Sequence, residues 1–130
     1  VTGWMNALHC VFMDRSNVRK SGEAIIKGIR NLKAGFSIVI FPEGTRSKGD
    51  KMAEFKAGSF KLATKAKCPI VPITMNGSYK IMEHGNGPWI KKATVDFYIH
   101  KMVETDGLSK EELEELPAKV QSIVASKLPQ

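Results

Sequence analysis

The chain has 130 residues, 42% of them hydrophobic and 25% charged, which fits a single domain with a core of its own. No apolar run reaches the roughly 18 residues that a bilayer-crossing helix needs, and no signal-peptide pattern opens the sequence. The formal net charge of +7 favours a phosphorylated ligand or an anionic membrane surface; nucleic acid ranks last, because the basic residues from Arg15 to Lys67 are spread along the chain.

Residues 9 to 13 are apolar and read as a strand. Ile25, Ile26, Ile29 and Leu32 then recur at three- and four-residue spacing, which predicts a helix over 17–33 that Gly35 stops. The run 36–41 reads as a buried strand, and the polar residues 47–54 as a mobile, lid-like loop. A helix is predicted over 57–67, with Phe60, Leu62 and Ala63 packed on the sheet. Residues 70–75 form an apolar strand framed by Pro69 and Pro72, and 95–99 alternate as a half-buried strand would. Gly77, Gly85, Gly87 and Pro88 mark the stretch between them as loop.

Ser109 and Glu112 form a capping-box signature before the stripe Leu113, Leu116, Val120, Ile123 and Val124, with Pro117 set to kink or divide the helix. The polar face of this helix is acid-rich in its first half, so the stripe is expected to pack on the core rather than lie on a membrane. Cys10 and Cys68 sit in apolar stretches without metal-ligand spacing and read as reduced core thiols. The alternation of elements points to the α/β class, with a mixed or mostly parallel sheet flanked by helices.

Chemistry concentrates in Phe41-Pro42-Glu43-Gly44-Thr45-Arg46-Ser47. Pro42 has no backbone donor and ends a sheet ladder, while Gly44 permits a turn closed to other residues and a close approach to a ligand. The side chains that follow gather at the C-terminal edge of a strand, where ligands bind in open α/β sheets. Arg46 offers a planar fork of donors suited to phosphate, and Glu43 can accept from a ligand hydroxyl or hold that arginine.

This string resembles the third sequence block of the glycerolipid acyltransferases, which make phosphatidic acid from lysophosphatidic acid. Val11-Phe12-Met13-Asp14-Arg15 resembles their second block, Phe55-Lys56-Ala57-Gly58-Ser59-Phe60 the segment after the third, and Ile70-Val71-Pro72-Ile73 the fourth. The four matches fall in the family's order. The family's first block, a histidine and an aspartate separated by four residues, belongs well upstream of the second.

His9 and Asp14 satisfy that spacing. On an extended strand, however, two side chains five residues apart point to opposite faces and cannot share a hydrogen bond. Asp14 is also accounted for by the second block, and the family more often has a glycine at position 9. The pair is therefore read as coincidental, and the chain as the C-terminal portion of an acyltransferase domain of partial glycerol-3-phosphate acyltransferase-like fold, without a catalytic base.

The resemblance implies that in the intact enzyme a histidine takes the proton of the acceptor hydroxyl, which attacks the thioester of acyl-CoA or acyl carrier protein without metal or other cofactor. It further implies that Arg15 and Arg46 contact the acceptor phosphate, that Glu43 and Gly44 shape the glycerol site, that Thr45 adds a hydroxyl and that Lys56 adds charge. The intact enzyme would work at the cytoplasmic face of a membrane. A non-catalytic module for phosphorylated or anionic lipid ligands is the alternative. Trp4, Met5, Leu8 and Val11 are the apolar residues expected at an exposed, self-associating N-terminal surface.

Overall fold

A computed structural model of the protein describes residues 2–12, 18–82 and 90–129. The first element is a helix, α1 (Thr2–Ala7), where the apolar pattern suggested a strand shortly after. The backbone N–H groups of Leu8, His9 and Cys10 donate to the carbonyls of Trp4, Asn6 and Met5. Donors spent on closing a helix are lost to a ladder, so residues 8–12 turn and pair with no strand among the described residues. His9 takes up a left-handed φ of 56°, and residue 13 lies outside the described residues.

Helix α2 (Val18–Lys33) follows the predicted periodicity. It ends as expected at Gly35, whose φ is 93°. The Gly35 N–H donates to Leu32 and the Phe36 N–H to Asn31, the two bonds of a Schellman stop. Gly28 is buried in the middle of this helix. A Cβ there would sit 2.6 Å from Leu62 Cδ2, so its bare backbone is what lets the next helix seat closely.

That neighbour is split in two. A 3₁₀ turn at Ala57–Phe60 runs into helix α3 (Lys61–Ala66), and Lys67 closes it with a φ of 54°. Residues 36–41 form no regular element and pair with no strand among the described residues. The expected buried strand is thus exposed, with Val39 and Phe41 79% and 68% accessible. Ile38 alone turns inward, towards Gly28 of α2.

The sheet among the described residues has two antiparallel strands, β1 (Ile73–Asn76) and β2 (Asp96–Ile99), in the register Ile73–Ile99 to Asn76–Asp96. The helices and small sheet agree with the expected α/β class, while the mixed or mostly parallel character expected of the sheet is not seen among the described residues, where 36–41 joins no ladder. Residues 70–75 are also not one strand. Ile70 bridges Val103 through bonds of 2.8 and 2.7 Å, and Pro72, which has no N–H, only accepts from His100. β2 is exposed at all four positions rather than half-buried.

Helix α4 (Lys110–Ala125) carries the predicted capping box. Glu112 N donates to Ser109 Oγ at 3.2 Å, and Ser109 N donates to Glu112 Oε2 at 2.7 Å. Hydrogen bonds that the Glu112 carboxyl accepts from the Ser109 backbone, and in lesser part from its side chain, hold it below its usual pKa. The cap is therefore present above the ordinary carboxylate range and lost as pH falls through the lowered value. Pro117 neither ends nor divides the helix.

The stripe packs inward as expected at Leu116, Val120 and Val124, whereas Leu113 is exposed and Ile123 half-buried. Leu116, Val120 and Val124 form the core with Phe55 and Phe60, and Met52, Ile70, Val103 and Leu108 pack around it. Thr74, fully buried on β1, donates its hydroxyl to the Val124 carbonyl at 2.7 Å. A hydroxyl has one proton, so the His100 Nε2 that lies 2.7 Å from the same oxygen must be the donor of that second bond. Cys10 and Cys68 are both unbridged and half-buried rather than in the core.

Among the described residues no helix is long and apolar enough to cross a membrane. Trp4, Met5 and Leu8 are exposed, Trp4 by 81% and Leu8 by 75%, while Val11 is half-buried. Light scattering over a concentration series is expected to show self-association through this surface. A monodisperse monomer at the highest concentration would reject it.

Candidate functional site

Segment 36–41 delivers the chain to a turn whose residues are tied by backbone first. Gly44 N donates to Phe41 O at 3.0 Å, and Gly44 takes a φ of 72°, a conformation in which a Cβ is strained. Lys56 N donates to Pro42 O at 3.0 Å. These bonds bring residues 42 and 56 together and close everything between them into one loop.

Lys56 lies across the glycine. A Cβ at position 44 would meet its Nζ at 3.1 Å, its Cε at 3.3 Å and its Cδ at 3.4 Å. Gly44 therefore has two tasks, the turn and the space for a lysine stem, and the ammonium is carried to the corner where the 41–47 string begins to turn. Arg46 is exposed, with Nη1 3.9 Å from Met82 Sδ. Thr45 is exposed as well.

Glu43 is engaged by its own loop. Its Oε2 accepts from the Ala53 N–H at 2.7 Å and from Ser47 Oγ at 3.2 Å. The far side of the loop is anchored rather than lid-like throughout: Phe55 is in the core, Met52 packs against it, and Phe55 N donates to Gln121 Oε1 of α4 at 2.9 Å. Gln121 and Met52 escaped the sequence reading. Met52 stands alone in a polar stretch, and Gln121 meets Phe55 across 66 positions, a separation no local pattern reports.

Of the other candidates, Asp14 and Arg15 lie outside the described residues. His9 is in the turn after α1, so the strand premise used to separate it from Asp14 does not hold. Its ring stacks on Phe36 with centroids 4.1 Å apart, and its carbonyl accepts from Asn31 Nδ2 at 3.1 Å. The structure thus brings Glu43, Gly44 and Lys56 together at one corner, with Arg46 leading out of it.

A comparison with known proteins matches residues 1–76 to the acyltransferase family model. The chain is 36% identical over 104 residues to a chloroplastic 1-acyl-sn-glycerol-3-phosphate acyltransferase of Brassica napus, covering 79% of this chain and 30% of that protein. It is 32% identical over 124 residues to a 1-acyl-sn-glycerol-3-phosphate acyltransferase of Borreliella burgdorferi, covering 91% and 47%. Among solved structures, the 1-acyl-sn-glycerophosphate (LPA) acyltransferase PlsC of Thermotoga maritima superposes with a TM-score of 0.80 at 31% identity, over 96% of this chain and 48% of that one. The chain spans less than half the length of each of these three relatives. The ordered sequence blocks, the glycine corner that seats a lysine, and a match running through residue 76 agree that the chain belongs to the acyltransferase family.

Proposed function

We propose that the protein serves the transfer of a fatty acyl group from acyl-CoA or acyl carrier protein to the free hydroxyl of 1-acyl-glycerol-3-phosphate, giving phosphatidic acid. The observation that carries this reading is the closed corner at 42–56, which sets the Lys56 ammonium over Gly44 beside the loop that bears Arg46. A phosphate monoester is matched by one forked guanidinium and one compact ammonium. The names of the relatives support the same acceptor. Arg15, one residue beyond the second block's aspartate, is proposed as a further phosphate contact, and Thr45 as a hydroxyl contact to the glycerol.

In the reaction a base removes the acceptor proton, the alkoxide attacks the thioester carbonyl, and the thiol leaves with a proton. His9, stacked on Phe36, is not proposed as that base; the chain binds the acceptor and turns over poorly by itself. The basic surface suits an anionic membrane at whose cytoplasmic face the acceptor resides. An acyl-transfer assay with lysophosphatidic acid, run beside a binding titration, tests the reading. Saturable binding with little turnover is expected. Robust turnover that vanishes in His9→Ala would overturn the dismissal of His9, and no binding of lysophosphatidic acid would overturn the acceptor assignment.

A further inference from the structure

We infer that Glu43 is a positioning residue: its carboxylate latches the 47–53 stretch back onto the turn that follows residues 36–41, and it is this latch, not a contact with the ligand, that makes the glutamate necessary. The inference rests on the acceptor-binding reading for its functional half only.

One carboxylate oxygen collects two donors from its own loop, the Ala53 N–H at 2.7 Å and Ser47 Oγ at 3.2 Å. The two bonds span the segment that runs from just after Arg46 to just before the core anchor Phe55. The backbone bond from Lys56 to Pro42 pins the base of the loop, and Met52 and Phe55 fix its far side in the core. Neither holds the intervening residues, of which Lys48, Asp50 and Lys51 are exposed. Glu43 reaches across to residues 47 and 53 through its side chain. Arg46 sits between the latch residue and the first latched residue, so its backbone position follows from the latch being closed. A charged acceptor on a backbone donor is the strong kind of hydrogen bond.

The latch needs an acceptor at this position and not a charge as such. Glutamine keeps an oxygen with two lone pairs and retains both bonds; alanine removes them. The loop carries its own reporters, because trypsin cleaves after Arg46, Lys48 and Lys51. When opening is faster than cleavage, the cleavage rate tracks the open population.

Limited tryptic digestion of the wild-type chain, Glu43→Gln, Glu43→Ala and Ser47→Ala tests this, with cleavage sites read by mass spectrometry and folding checked by thermal melting. Glu43→Ala is expected to be cut within 46–51 about tenfold faster than wild type, with other sites unchanged; Glu43→Gln is expected near wild type, and Ser47→Ala in between. In a titration with lysophosphatidic acid, Glu43→Ala should bind more weakly and Glu43→Gln should recover. Unchanged cleavage in Glu43→Ala overturns the latch. So does a glutamine variant that behaves like alanine, which would show that the charge itself is used. If even the wild-type chain fails to bind lysophosphatidic acid while cleavage follows the expected order, the acceptor reading falls and the latch stands.

Discussion

Leu116→Ala is expected to cost about 2–5 kcal/mol of stability, since the side chain is 2% exposed and at the centre of the Phe55, Phe60, Val120 and Val124 cluster. In a chain of this size that lowers Tm by on the order of 10 °C, readable in a thermal melt followed by circular dichroism. Leu113, one turn earlier on α4 and 39% exposed, is the control; its alanine variant should lose less than about 1 kcal/mol. The consequence reaches the candidate site. Phe55 is both a member of this cluster and the far anchor of the 42–56 loop, so a cavity at Leu116 loosens the loop before it unfolds the chain. A Leu116→Ala variant as stable as its Leu113 counterpart would mean that the core lies elsewhere.

Arg46→Ala is expected to weaken lysophosphatidic acid binding by about 1.5–3 kcal/mol, the usual worth of a charge-assisted forked contact to a phosphate. The exposed side chain is screened by solvent, which favours the lower end and an affinity loss of about tenfold. Arg46→Lys should retain part of the affinity, because it keeps the charge and loses the fork. Titration at two salt concentrations separates the terms: the arginine's share shrinks as salt rises, whereas apolar contact with the acyl chain does not. Equal affinity of Arg46→Ala and the wild-type chain at low salt would remove Arg46 from the phosphate site.

What the sequence makes legible is what local spacing determines. The capping box at Ser109 and the 116–120–124 stripe lie within one helix, and the stop at Gly35 needs only a residue free to adopt positive φ. The family blocks are likewise contiguous strings. What stays hidden depends on residues far along the chain. Apolar content at 8–12 fits a strand and a helix-closing turn equally well, and only the carbonyls of α1 decide. Residues 36–41 have a strand's composition, but a strand exists only with a neighbour to pair. By composition Pro72 frames one strand, whereas its missing donor divides a bridge from a shorter strand. At the site, the glutamate reads as an acceptor, but its donor Ala53 contributes a backbone N–H that no side-chain pattern announces.

The hydroxyl of Thr74 makes the chain's last helical turn answerable to a strand 50 positions earlier. Helix ends ordinarily fray first, because their final carbonyls have no intrahelical donor. Here one of those carbonyls is already spoken for, with His100 completing the same junction. Melting of the terminal helix and of the hairpin is thereby bound into a single cooperative event, and the C-terminal segment serves as a clasp on the fold rather than a trailing appendage.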